Sequence, residues 1–162
     1  KSFPEQTLPL ELGDVEQESL TRLRETLAAY IAAMDEQRIR QASGLLRELW
    51  GEMNRYLEQR EPWRLVKESP EQTAPVLAFA ACGVALCSVA LRAFLPTTAK
   101  RLEEATTLDL SGVLLGEGTV DQILALAEGG VVAHTLEPKL FQKLDQDVVD
   151  GWKAQFAGGD GT

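Results

Sequence analysis

The sequence has little of what builds metal centres, disulfide frameworks and aromatic-rich β-sheets. Its 162 residues include two Cys and a single His, at position 134. Two Cys cannot make a disulfide framework, which points to a reducing compartment, and so few soft ligands exclude an ordinary zinc site. Aromatic residues contribute only 6% of the chain, whereas Ala and Leu are plentiful. This composition favours helices over a β-sandwich, in one domain of ordinary size.

Motifs of enzymatic chemistry are missing as well. There is no glycine-rich phosphate loop, paired-carboxylate motif or nucleophile elbow, so spacing nominates no catalytic residue and no metal ligand. His134 has no neighbouring pattern of a catalytic triad and is expected to pack locally or lie at the surface. No basic segment precedes an apolar stretch at the start, as a signal peptide requires. We expect the chain to be an excerpt of a longer protein.

Positive charge is also scarce, with 16 Lys and Arg against 25 Asp and Glu, a net charge of −9. This balance argues against a protein that coats nucleic acid through bulk positive charge. The charge is uneven, however, because residues 38–67 hold seven cations and four acids, a local +3 that leaves −12 elsewhere. The acids of the first two helices, such as Glu48 and Glu52, are expected to be solvated.

The apolar pattern predicts an all-α, antiparallel helix bundle with a less regular C-terminal extension. Apolar residues at three- and four-residue steps predict one helix from Val15 and a second, capped by Asp35, that runs to about Gln59. The short break between them predicts an αα-hairpin. Glu61–Pro62 ends the second helix, because the residue before Pro is pushed out of the α region.

A third helix is predicted to start at Pro70 or, because of Pro75, nearer to Gln72–Thr73. Residues 75–91 carry no charge, and this length is borderline for a membrane span, which needs about 20 residues. Because small residues such as Ala dominate the run, we interpret it as the central helix of a bundle. Cys82 and Cys87 within it are interpreted as buried small apolar residues.

We divide the chain into four parts. Residues 1–14 form a linker or the end of an upstream helix, and residues 15–106 form the bundle, which closes with a short helix at 97–105. Residues 107–150 form an irregular extension that packs on the bundle, with a helical piece at 120–127 and a β-like run at 131–133. Residues 151–162 are predicted to be a disordered tail.

The segment around the predicted helix break differs from the rest of the chain. It places Trp63 directly after Pro62, among four cations: Arg55, Arg60, Arg64 and Lys67. An exposed indole could stack on an unpaired base while the cations neutralise flanking phosphates. Alternatively, the indole could fasten the helix corner to the core. Spacing alone favours this second role and leaves both open.

The stretch NRYLEQREPWRLVKE resembles the signature of the anticodon-binding helical domain of methionyl-tRNA synthetases, in which Asn-x-Tyr is followed by Pro-Trp and then Lys. The resemblance covers roughly residues 14–146. Phe94–Leu95–Pro96 match the end of the family's Pro-Phe-x-Pro segment, with Ala93 in place of its first Pro. Residues 137–145 resemble its Leu-Phe-Pro tail, with Gln142 in place of Pro.

The resemblance implies a bundle of the class I synthetase type that reads the CAU anticodon of methionine tRNAs. Trp63 would stack on the first anticodon base, and Pro62 would shape that pocket. Asn54 matches the motif and is a candidate for the same site, but it also fits a structural role, which is to fix the corner. Arg55, Arg60, Arg64 and Lys67 are candidate phosphate contacts, chosen by charge and proximity.

Two family features are missing from this sequence: the nucleotide-fold motifs, and an Asn and Arg on an earlier helix. The resemblance therefore implies a cytoplasmic methionine–tRNA ligase whose catalytic domain, with its ATP and Mg, lies upstream. The partners expected are methionine tRNA and that domain, without DNA or a membrane. We expect weak tRNA binding by these residues in isolation. The alternative function is a stand-alone helical interaction module that has lost RNA binding.

Overall fold

The computed structural model describes residues 6–132 and 145–156, and within them it is an all-α bundle, as predicted. Seven helices occur in these ranges. They are α1 (Asp14–Asp35), α2 (Ile39–Arg60), α3 (Pro62–Glu68), α4 (Pro70–Leu91), α5 (Pro96–Glu104), α6 (Thr119–Leu126) and α7 (Gln146–Phe156).

The first two helices form the predicted antiparallel hairpin. Ser19 of α1 contacts Glu52 of α2, and Glu16, which is earlier in α1, contacts Tyr56, which is later in α2. The two helices therefore run in opposite directions. The prediction that Asp35 caps α2 is wrong. Asp35 is the last residue of α1, and the connection turns through Gln37, whose φ of 58° lies in the left-handed region.

Helix α4 is the central element of the core. It packs against α2, α3, α5 and α6, and 72% of its most apolar 18-residue window is buried, although its length and composition would allow it to cross a membrane. This burial confirms the interpretation as a core helix. The helix starts at Pro70 and runs through Pro75, so the alternative start at Gln72–Thr73 is wrong. Pro75 lies in the second turn of α4, where it cannot donate the helical hydrogen bond to the residue four positions before it.

Both cysteines are buried in α4, as predicted. Burial raises the pKa of the Cys82 and Cys87 thiols to about 12, so neither thiol is poised as a nucleophile at neutral pH. Their role is packing.

The irregular segment after α5 packs on the bundle through buried apolar side chains and through hydrogen bonds to one arginine, Arg92. Arg92 follows α4, and its guanidinium pairs with Glu103 of α5 at 2.7 Å. The same group donates to the carbonyls of Val113 and Leu110 at 2.6 and 2.8 Å. One arginine thus holds the loop between α5 and α6 to the end of α4 and to α5. The predicted small helix is confirmed as α6.

Both ends of the chain differ from the prediction. Leu8 is 2% exposed and forms an antiparallel bridge with Val131, so this part of the supposed linker belongs to the core. The predicted β-like run at 131–133 is this isolated bridge, with residue 133 outside the described residues.

The disordered tail is wrong for residues 151–156, which are the second half of α7, a helix with no buried residue. Residues 157–162 lie outside the described residues. So do His134 and the 137–144 part of the Leu-Phe-Pro-like segment.

Candidate nucleic-acid interface

A single residue, Glu61, joins α2 to α3 and sets the geometry of the corner. Its φ and ψ of 44° and 53° are left-handed, a conformation that costs a residue with a side chain roughly 1–2 kcal/mol. Pro62 disfavours the ordinary helical conformation at the preceding residue, and both backbone groups of Glu61 are hydrogen-bonded. The N–H of Glu61 donates to the carbonyl of Leu57 at 2.9 Å, and its own carbonyl accepts from Arg64 at 2.8 Å and Leu65 at 2.9 Å. The predicted break is confirmed, whereas α3 beyond it was not predicted.

Pro62 and Trp63 lie on opposite sides of the corner. Pro62, the first residue of α3, is buried, whereas Trp63 is 56% exposed. Packing of the corner is therefore done by Pro62, together with the partly buried Leu65, and the indole keeps a large part of its surface in solvent. This exposure removes the main support for Trp63 as a core fastener. Its stacking role stays a prediction.

The four candidate cations lie within eight residues of Trp63 in the sequence and differ in how they are paired. Arg64 of α3 is 67% exposed and pairs with Glu61 at 3.4 Å and Glu68 at 3.3 Å. Lys67 is exposed and makes no ion pair within the ranges that the structure describes. Arg64 can turn toward a phosphate, because its partners are themselves solvated and such pairs are weak. Lys67 has no ion pair to give up there.

The other two cations, Arg55 and Arg60, are tied to buried carboxylates. Arg55 is 61% exposed and pairs with Glu52, whose side chain is 5% exposed. Glu52 also accepts a hydrogen bond from Ser19 at 2.9 Å and pairs with Arg22 at 2.9 Å. The prediction of a solvated Glu52 is wrong, because three partners from α1 and α2 hold this carboxylate inside the hairpin.

Glu16 forms a second buried cluster nearer the corner. Its residue exposure is 4%, and its Oε1 lies 3.3 Å from Nε of Arg60, the last residue of α2. The same oxygen accepts from the Tyr56 hydroxyl at 2.8 Å, while Oε2 accepts from the Gly13 N–H at 3.2 Å. Burial and the contact with Glu16 raise the pKa of Tyr56.

Asn54 does not fix the corner. It is exposed on α2, and its side chain forms no hydrogen bond within residues 6–132 and 145–156. The structural role that we expected for Asn54 is therefore wrong, since Glu16 and Tyr56 hold this end of α2. A contact between Asn54 and a ligand stays a prediction.

The positions of Glu16 and Glu52 in the sequence indicate that both acids are buried. Glu52 lies in phase with the apolar stripe of α2, between Leu49 and Tyr56, and Glu16 lies four residues before Leu20 in that of α1. An acid in phase with a buried stripe indicates a carboxylate with partners, because an unpaired buried charge is very costly. Composition alone could not identify those partners.

The described residues hold no group of three or more His, Cys, Asp or Glu side chains placed to bind a metal ion. What the corner does offer is an exposed aromatic surface beside guanidinium and ammonium groups on a rigid turn. Such an arrangement suits an unpaired nucleotide. Fold and corner together define an all-α helical domain with a small surface suited to single-stranded nucleic acid.

Comparison with known proteins identifies the family. Residues 8–161 match the family described as the anticodon binding domain of methionyl tRNA ligase, and the chain belongs to it. Among curated relatives, the methionine–tRNA ligase of Cereibacter sphaeroides strain ATCC 17029 is 29% identical over 90% of this chain. Those of Streptomyces avermitilis and Ruegeria pomeroyi are each 30% identical, over 87% and 90%. The chain spans about a quarter, 25%, of the length of each of these relatives.

Proposed function

We propose that this chain binds the anticodon loop of methionine tRNA, with its CAU anticodon, for a methionine–tRNA ligase. Trp63 supplies the stacking surface for an anticodon base, and Pro62 sets the position of that indole. The observation that carries the proposal is the 56% exposure of Trp63 beside a turn residue, Glu61, whose N–H and carbonyl are both hydrogen-bonded. A rigid, solvent-facing aromatic ring is the element that a protein uses to bind an unpaired base.

The cations contribute to a different extent. Lys67 and Arg64 are exposed and act as direct phosphate contacts, while Arg55 and Arg60 offer the outward side of guanidinium groups that buried acids hold in place. Arginine suits this double use, because its planar group presents several N–H donors in different directions.

The whole ligase attaches methionine to its tRNA at the expense of ATP, and the rest of the polypeptide supplies that chemistry with ATP and Mg. Family membership and the ligase names of the bacterial relatives support this assignment. The partners of the chain are then methionine tRNA and the catalytic domain of the same enzyme, and the place of action is the cytoplasm. The role of this chain is to select the tRNA, and no step of catalysis depends on its residues.

Binding of tRNA by the complete ligase tests the proposal. Trp63→Ala removes one base-stacking contact, typically worth about 1–3 kcal/mol, and should weaken binding of CAU-bearing tRNA roughly 5- to 150-fold. Trp152→Ala is the matched control, because Trp152 is similarly exposed, at 49%, on the separate helix α7. For a tRNA with an altered anticodon, the wild-type ligase and the Trp63→Ala variant should have similar, weak affinities. If Trp63→Ala leaves the discrimination between anticodons intact, the assignment is wrong.

A salt titration separates this function from the alternative of a helical interaction module. Contacts with two to four phosphates give a slope of log K against log salt between about −1.4 and −3 for single strands. Binding of an apolar partner helix should show no such dependence on the release of counterions. The exposed apolar residues of α7, namely Val148, Trp152 and Phe156, are the feature that keeps this alternative worth testing.

A further inference from the structure

We propose that Glu16 is a positioning residue that fixes the orientation of Trp63. The orientation of Trp63 by Glu16 does not depend on the proposed function. Its consequence does: if Trp63 binds the anticodon, that binding depends on a buried carboxylate outside the Pro-Trp motif. Glu16 lies on α1, 47 residues before Trp63 in the chain. It acts through the last turn of α2 and does not itself touch the RNA.

The first step of the argument is the set of groups that one carboxylate joins. Glu16 closes the start of α1 by accepting the Gly13 N–H at 3.2 Å. It also accepts the Tyr56 hydroxyl at 2.8 Å and faces Nε of Arg60 at 3.3 Å. These contacts fasten the start of α1 to the last five residues of α2 in the protein interior.

The second step is the link from α2 to the helix that packs behind the corner. The ring of Tyr56 lies against Phe79 of α4, with 4.6 Å between ring centroids and a tilt of 54°. Its hydroxyl also lies 3.5 Å from the carbonyl of Val76 in α4. Tyr56 is 1% exposed, so its position is determined by Glu16 on one side and α4 on the other.

The third step is the short distance along the chain from this cluster to the indole. Only Glu61 and Pro62 separate Trp63 from Arg60, the last member of the Glu16 cluster. Glu61 holds a left-handed conformation that needs support from its surroundings. The Glu16 carboxylate attracts the Arg60 guanidinium by charge, since Nε of Arg60 makes no hydrogen bond within the described residues. We expect this attraction to hold the end of α2 from which α3 leaves the corner. Glu16→Gln keeps the size of the side chain but removes the charge that Arg60 faces.

The orientation can be measured without RNA by ¹⁹F NMR on the complete chain labelled with 5-fluorotryptophan. The chain has three Trp, and Trp63→Phe assigns the resonance of interest. Glu16→Gln should shift or broaden the Trp63 resonance and leave that of Trp152 in place. Tyr56→Phe, which removes only the hydroxyl bonded to Glu16, should act in the same direction and serves if Glu16→Gln does not fold.

Tyr30→Phe is the matched control. It removes a buried hydroxyl hydrogen bond of the same length, 2.8 Å, from Tyr30 to the carbonyl of Ala90, near the end of α4 that is remote from the corner. It should lower the melting temperature about as much as Tyr56→Phe while the Trp63 resonance stays in place. If the Trp63 resonance is unmoved in folded Glu16→Gln and Tyr56→Phe proteins, the proposal is overturned.

A double-mutant cycle in the complete ligase tests the consequence for tRNA. Glu16→Gln should raise KM for tRNA several-fold, by no more than Trp63→Ala does, and leave tRNA-independent amino-acid activation unchanged. In a Trp63→Ala background the same change should cost nothing further, because the contact through which it acts is gone. An undiminished loss in that background would overturn the coupling.

The two proposals fail in different ways. If Trp63→Ala has no effect on tRNA binding, the proposed function is wrong, and the NMR comparison still decides whether Glu16 orients the indole. If Trp63→Ala weakens binding but Glu16→Gln affects neither KM nor the resonance, the proposed function stands and Glu16 has no positioning role.

Discussion

Replacement of Gly130 by Ala should release the first residues of the chain from the body of the domain. Gly130 has a φ of +90°, and a Cβ there would lie 2.3 Å from the methyl group of Thr7 and 3.1 Å from the carbonyl oxygen of Leu8. The positive φ costs a residue with a side chain roughly 1–2 kcal/mol. Ala also lowers the entropy of the unfolded chain, which offsets about 0.4–1 kcal/mol of this loss. The steric contacts of the added Cβ destabilise the folded state further. We expect a net loss of about 1–2 kcal/mol.

The adjacent Gly129 provides the control, because a Cβ there meets nothing within 4 Å. Urea unfolding should show a lower midpoint for Gly130→Ala at an unchanged m-value, with a fall in Tm of about 2–4 °C for each kcal/mol lost. Gly129→Ala should be close to neutral.

Amide hydrogen exchange locates the effect. The N–H of Leu8 donates to the carbonyl of Val131 at 2.8 Å, and the N–H of Val131 donates back at 2.9 Å. Both amides should exchange faster in Gly130→Ala and at the original rate in Gly129→Ala. Equal stability of the two variants, or unchanged exchange at Leu8, would refute the reasoning from the positive φ and the close approach.

Three further predictions follow from burial and hydrogen bonding. Because burial raises the pKa of Cys82 and Cys87 from 9.0 to about 12, the folded state keeps its protons where the unfolded state loses them. Stability should therefore fall between about pH 9 and 12, by about 1.4 kcal/mol per pH unit for each thiol, in pH-dependent urea unfolding. Arg92→Ala, which leaves two loop carbonyls and Glu103 without their donor, should cost about 2–4 kcal/mol by the same assay, whereas Arg92→Lys should recover only part. Gly51→Ala, on an open face of α2, should stabilise the domain by up to about 1 kcal/mol.

Local patterns predicted much of the bundle. The stripes of α1 and α2, the uncharged run of α4 and the break at Glu61–Pro62 each depend on neighbours in the chain, and each element is where the sequence indicates it. The connection between α1 and α2 was predicted wrongly, because Asp35 has the properties of a cap but the chain continues in a helix through it. Whether α1 ends before or after Asp35 depends on packing with α2.

The pairing of Leu8 with Val131 could not be predicted from the sequence. A two-residue bridge between segments 123 positions apart leaves no period, and Pro and Gly around Leu8 indicate only the absence of a helix. Its stability comes from burial of Leu8 against the folded body. Likewise, the exposure of Trp63 and the burial of Pro62 were undecided in the sequence, because both arrangements fit the same Pro-Trp spacing.

The charge of the corner shows why a count along the chain is a poor guide to the field in space. The local sum of +3 over residues 38–67 omits Glu16 and Glu68, yet both pair with corner arginines. Together with Glu52 and Glu61, these acids give four negative charges against the four candidate cations, so the corner is close to neutral. A neutral surface does not gain affinity from the charge of RNA as such. Under the proposed function, binding must therefore combine stacking on the indole, in its fixed orientation, with the few phosphate contacts of Arg64 and Lys67. A tRNA that cannot place an anticodon base on Trp63 then has little other attraction to an acidic domain.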